Sequence, residues 1–176
     1  MRQIIFFIWL IYIFTGCSTL PRNFTYHYTG EYTGLDTLIN TNGYYISQYA
    51  CDTAFYSMYL FFPNGLFTIA TTSRITPELI DYFEAGGMSK TIQYPLWGTY
   101  QIEGDLIKTQ VIRTEGSSCV IFRDYRILPD GMIENISDFV EPQYTRLSYM
   151  ANYPSFKDNP CKIPAEFHPL KLKMNN

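Results

Sequence analysis

Three short turn signals divide the middle of this 176-residue chain into hairpins, and they leave little room for anything but antiparallel β structure. Asn64-Gly65 stands between residues 55–62 and 66–71, Gly104-Asp105 between 97–103 and 106–113, and Asp130-Gly131 between 119–128 and 132–140. Asn-Gly and Asp-Gly accept the positive φ of a type I′ turn, and a leading Gly suits type II′. Both turns match the twist of paired strands. Two-residue loops set the register. The first pairs Phe62 with Phe67 and Leu60 with Ile69 on one face, Tyr59 with Ala70 and Phe61 with Thr68 on the other. Both faces are apolar, so this hairpin is expected to be covered on both sides.

The second hairpin alternates cleanly. Tyr100, Ile102, Ile107 and Val111 share one face, while Thr99, Gln101, Glu103, Lys108 and Gln110 share the other, which is expected to meet water. The third pairs Phe122 with Phe139 and Leu128 with Ile133, and on its other face Tyr125 with Ile136 and Arg123 with Asp138. Further strands are expected at residues 44–49, after Gly43, and at 143–150, after Pro142. The one helical signal runs over residues 77–85. Thr76 can cap it, Pro77 fits the first turn, Glu78 suits the positive dipole end and Gly86-Gly87 stops it. Such a helix could lie over a barrel mouth as a lid; a crossover plugging the barrel end is the simpler expectation. Eight strands joined by tight turns predict an all-β antiparallel up-and-down meander that removes its edges by closing into a barrel. A β-sandwich is the alternative.

Composition supports strands, because 16 Tyr and 13 Phe raise the aromatic share to 18%. A net charge of −3 argues against a nucleic-acid partner, which calls for a basic patch. His27 and His168 are far apart, no cysteine pair has zinc-ligand spacing, and no nucleophile elbow or phosphate loop occurs. The expectation is therefore no enzyme, no metal and no cofactor.

The amino-terminal stretch has its own logic. After Arg2, residues 4–14 are unbroken apolar, too short to cross a bilayer but suited to the core of a secretory signal. Phe14-Thr15-Gly16-Cys17 follows and resembles the bacterial lipoprotein signal. The resemblance implies cleavage before Cys17, a diacylglyceryl thioether on its sulfur and an acyl group, such as palmitate, on the new amino terminus. Multiple chains hold a protein at a membrane essentially permanently. Ser18 is not the Asp of inner-membrane retention, so the expected address is the outer membrane, facing the periplasm. The organisation read from this is residues 1–16 signal peptide, 17–42 lipidated tether, 43–151 β-barrel domain and 152–176 tail. With Cys17 lipidated, Cys51, Cys119 and Cys161 remain, enough for one disulfide in an oxidising compartment. Cys51 with Cys161 is favoured, because a tail rich in Pro and Asn needs docking, and pairing with Cys119 stays open.

The order strand, Asn-Gly, strand, then Gly98-Thr99-Tyr100-Gln101-Ile102-Glu103-Gly104-Asp105-Leu106-Ile107, then Ile127-Leu128-Pro129-Asp130-Gly131, resembles the small lipocalin-like lipoproteins of Bacteroidetes over residues 43–150. It lacks the Gly-x-Trp of lipocalins proper, since Tyr44 and Tyr45 follow Gly43. The resemblance implies a calycin-type barrel with a cavity for a small apolar or amphipathic ligand. Tyr100, Ile102, Ile107 and Tyr125 are the candidate lining, and Arg123 could meet an anionic head group. The plainer expectation for Arg123 is an ion pair with Asp138 across the strands. The competing functional reading is a structural or interaction protein of the envelope whose core is filled by its own side chains.

Overall fold

The computed structural model describes residues 24–48, 54–87, 96–113, 119–140, 159 and 162–170. The leader, Cys17, Cys51, Cys161 and the strand expected at 143–150 lie outside them. Eight antiparallel strands form one strongly curled, half-barrel sheet. They are β1 (Gly43–Gln48), β2 (Tyr56–Phe61), β3 (Leu66–Thr72), β4 (Leu96–Glu103), β5 (Leu106–Arg113), β6 (Cys119–Ile127), β7 (Ile133–Val140) and β8 (Glu166–Pro169). A single α-helix, α1 (Pro77–Glu84), lies between β3 and β4. The sheet order is β7-β6-β5-β4-β3-β2-β1-β8, so the first seven strands are a plain meander and the chain returns at its end to pair with β1. All described strands belong to this one sheet, not to the two of a sandwich.

The β4–β5 register is the one expected, with Ile102 opposite Ile107 and Gly98 opposite Val111. The other two hairpins differ by one residue. Phe61 pairs with Phe67 and Tyr59 with Ile69, not Phe62 with Phe67 and Leu60 with Ile69. Each of these hairpins turns on three residues, Pro63-Asn64-Gly65 and Pro129-Asp130-Gly131, with matching hydrogen bonds. Phe62 N donates to Leu66 O (2.9 Å) and Gly65 N to Phe62 O (3.2 Å); Leu128 N donates to Met132 O (2.8 Å) and Gly131 N to Leu128 O (2.9 Å). Proline holds φ near −65°, which fits the first central position of a type I turn. Gly65 and Gly131, at φ 89° and 78°, then take the left-handed position that ends a three-residue loop. Because side chains alternate, the one-residue difference exchanges the faces. Tyr59, Phe61, Phe67 and Ile69 point inward, while Met58, Leu60, Thr68 and Ala70 point out beneath α1.

In the third hairpin Ile127, not Leu128, faces Ile133, and Tyr125 faces Asn135, not Ile136. A bulge at Asp124/Tyr125 restores the expected register beyond it, so Phe122–Phe139 and Arg123–Asp138 pair as read from sequence. The helix is neither lid nor end plug. Its Leu79, Tyr82 and Phe83 cover the outer face of β1–β3, against Tyr44, Met58, Leu60 and Ala70. Thr76 caps it, accepting from Leu79 N. Both faces of the first hairpin are thus covered, as its apolar pattern requires.

The gap between the edge strands is spanned by the end of the chain. Ala165 N donates to Ile133 O (2.8 Å), Pro164 bridges Glu134, and Asn159 N donates to the bulged Ile136 O (2.7 Å), all on β7. The next four residues are β8 on β1, with Tyr45 opposite Phe167 and Tyr44 opposite His168. Phe167 turns inward against Tyr45, and His168 turns outward to stack on Tyr44 at 5.3 Å. Their close fit depends on Gly43, where any Cβ would collide with the His168 carbonyl oxygen and the Phe167 ring. A Gly43→Ala variant is expected to lose about 1–3 kcal/mol through this overpacking. Hydrogen exchange should show β8 amides losing protection before those of β4 and β5; equal protection with unchanged melting would contradict the closing contact.

Candidate functional site

The interior of the curled sheet is where the expected ligand residues meet. It is filled unequally along its axis. The end that holds the β2–β3, β4–β5 and β6–β7 turns is sealed from within by residues 33–40. Thr33 N donates to Pro63 O (2.8 Å), and the Tyr45 hydroxyl donates to Asn40 O (2.9 Å). Between these points a 3-10 turn, Leu35–Thr37, drives Leu35 into the core, and Ile39 follows it. Residues 17–42 were expected to be a tether; over 24–42 the chain is docked on the barrel instead. Gln110 holds it further upstream. Its Oε1 accepts from Thr25 N (2.8 Å) and Tyr26 N (2.9 Å), its Nε2 donates to Thr25 Oγ1 (3.0 Å), and Thr99 Oγ1 donates to Tyr26 O (2.5 Å). This is why Gln110 and Thr99, expected to face water, are buried.

Above the plug, aromatic rings meet across the interior. Tyr59 on β2 lies 4.9 Å from Tyr125 on β6, three intervening strands away in the sheet. Phe61 contacts Tyr125 and Tyr100, each at 5.6 Å and nearly perpendicular. Such edge-to-face rings add to their area burial. Tyr100 is a staple as well as a packing group. Its hydroxyl donates to Phe62 O (2.6 Å) and lies 2.8 Å from Thr33 Oγ1, joining the plug to the β2–β3 turn. Ile107 is fully buried in the same cluster, with Ile102 half-buried at its edge. Of the five expected ligand residues, Tyr100, Ile107 and Tyr125 therefore belong to one packed cluster. Ile102 borders it, and Arg123 stands on the inward face of β6 beside it.

Arg123 forms an ion pair with Asp138 on the neighbouring strand, the plainer of its two expected roles. Their side chains are 7% and 0% exposed, so the pair is desolvated. Arg123 Nη1 also reaches Thr71 Oγ1 at 3.4 Å, and Thr71 lies 3.4 Å from Ser57 Oγ. The Tyr59 hydroxyl donates to Ser47 Oγ (2.9 Å). Hydroxyls and one buried ion pair thus occupy the end of the interior away from the plug.

Burial dominates the titration of this interior. It pushes Tyr45 up to about 12, although Asn40 O partly offsets the shift. It also raises Tyr59, against the hydrogen bond to Ser47 and the charge of Arg123, and Tyr125, against the charge of Arg123. A tyrosine whose folded-state pKa lies above its unfolded value of 10.0 contributes its full stability below pH 10. That contribution is lost as pH rises, because the unfolded chain ionises first. Tyr59 and Tyr125 should each remove about 1.4 kcal/mol per pH unit above pH 10. Melting temperature followed from pH 8 to 11.5 should be flat and then fall steeply, with the 295 nm tyrosinate signal appearing only on unfolding for these rings. Smooth ionisation of all tyrosines near pH 10 in the folded protein would contradict their burial.

Among the described residues no three His, Cys, Asp or Glu side chains cluster to hold a metal, and no helix is long and apolar enough to cross a membrane. Cys119 is buried on β6, and no disulfide forms among the described residues. The plug and the Gln110 clamp were not foreseen. The signal for the plug was Leu35 and Ile39, four residues apart, with the exposed Leu38 between them. Comparison with known proteins finds no matching family model, curated relative or solved structure.

Proposed function

We propose that this chain is a lipid-anchored envelope protein whose curled sheet is a filled scaffold for interaction, not a carrier of an apolar ligand. The observation that carries this reading is the contact of Tyr59 with Tyr125 across the interior at 4.9 Å. The space an apolar ligand would take at the level of Tyr100, Ile107 and Tyr125 is occupied by the protein's own rings. The anchor rests on the lipoprotein-like signal ending in Cys17, with an outer-membrane, periplasm-facing address and a disulfide between Cys51 and Cys161 as further parts of the same proposal. Labelled palmitate should enter the protein and be lost with Cys17→Ala. Titration of the purified domain with a fluorescent fatty acid should give no saturable binding; a one-to-one complex displaced by Tyr100→Trp would overturn the filled-scaffold reading.

One observation favours a second reading, a small polar or anionic ligand at the far end. There Ser47, Ser57 and Thr71 bring hydroxyls near the Arg123–Asp138 pair. A ligand at that end should be lost with Thr71→Val and Ser57→Ala while folding is kept.

A further inference from the structure

We propose that the outer wall of β4–β7 is the face this domain lays against the lipid bilayer. The inference rests on the reading of Cys17 as the lipid anchor and adds an orientation to it. Only residues 18–23 separate Cys17 from Phe24, the first described residue. Fully extended, that length reaches no more than about 25 Å. Its far end is fixed, because Gln110 and Thr99 clamp Thr25 and Tyr26 to the outer faces of β5 and β4. A short leash leaving this wall brings this wall to the membrane. The opposite wall, β1–β3, carries α1 and could face the bilayer only if the leash ran around the molecule.

The wall beside the clamp has the chemistry of a membrane interface. Trp97, Ile112, Phe122 and Phe139 occupy outward positions on four adjacent strands. Trp97 is 44% exposed, and the other three are half-buried. Phe122 stacks on Phe139 at 5.0 Å, and Phe62 stacks on Trp97 at 5.6 Å. Single apolar side chains are ordinary on a surface, whereas apolar and aromatic side chains gathered on neighbouring strands mark a place of contact. Tryptophan in particular favours the headgroup level, where its ring is buried and its N–H stays hydrated. The charged groups of this wall, Glu103, Lys108, Asp124, Arg126 and Glu134, lie on the side of the patch toward the plugged end, so seating Trp97 buries none of them.

Trp97 is also the reporter. The chain has two tryptophans, and the other, Trp9, lies in the leader. The full-length protein, matured and carrying its own lipid, is reconstituted in phosphatidylethanolamine–phosphatidylglycerol vesicles with or without acyl chains brominated near the headgroup. The expected result is a blue-shifted Trp97 emission, quenched at least twofold by the brominated lipid. A 20-residue Gly/Ser insertion after Leu20 should leave flotation with vesicles intact and reduce quenching several-fold. Equal emission from plain and brominated vesicles would overturn the orientation, if the protein floats and mass spectrometry finds lipid on Cys17. A blue shift without quenching would likewise overturn it, since a second protein surface would then be covering Trp97. Absence of lipid on Cys17 would instead remove the anchor, and the orientation with it.

Discussion

Replacing Asp138 with alanine is expected to cost about 3–5 kcal/mol, a large share of the stability of a domain this size. The reason is asymmetry. The Arg123–Asp138 pair sits inside the curled sheet with both side chains almost wholly buried. Removing the carboxylate leaves a buried guanidinium that cannot lose its proton and has lost its counter-ion. The pair itself need not stabilise the fold. Arg123→Met combined with Asp138→Leu should recover most of the loss and could exceed the parent by about 1–4 kcal/mol, because the desolvation cost of two charges disappears. Urea melts of the two single variants and the double variant, read as a double-mutant cycle, decide this. Additive losses, with the double variant the least stable of the three, would show that the two groups do not act as a pair.

Tyr125→Ala should have a comparable effect by a different route. The ring is fully buried and touches Tyr59 and Phe61 from across the interior, so its removal empties the centre of the core. Large-to-small substitutions of buried aromatics cost about 3–5 kcal/mol. Tyr125→Phe keeps the ring and removes only the hydroxyl whose ionisation burial already suppresses. It should melt within a few degrees of the parent and lose its share of the alkaline destabilisation. A Tyr125→Ala protein as stable as the parent would mean that this ring lines empty space instead of filling it.

How much of this was legible beforehand depended on local chemistry. The register of the β4–β5 hairpin was readable because its two-residue Gly-Asp loop is flanked by clean alternation, although the burial of Thr99 and Gln110 under Thr25 and Tyr26 was not. The other two turns misled by one residue. The dipeptides Asn64-Gly65 and Asp130-Gly131 suggested two-residue loops, while the preceding Pro63 and Pro129 favour a type I turn closed by glycine. That single residue changed which faces of β2 and β3 go together and set Tyr59 and Phe61 beside Phe67 and Ile69. The bulge at Tyr125 has no sequence signature, yet it preserved the Arg123–Asp138 pairing. The plug and the closing strand were the least visible parts. The plug buries only Leu35 and Ile39 and leaves the neighbouring Leu38 exposed, so no period marks it. The β8 strand is four residues long and ends on a proline, below the length at which alternation shows. Both are held by long-range contacts, which no local pattern encodes. For the site, the five expected residues lie in or beside the interior. What residue type could not convey was whether that interior holds space or rings.

Native mass spectrometry of the full-length protein extracted gently from its membrane tests the central claim most directly. A filled scaffold predicts one species, the chain beginning at Cys17 with its anchor lipids and nothing else retained. A further small molecule bound in one-to-one ratio, leaving only when the protein unfolds, would contradict it.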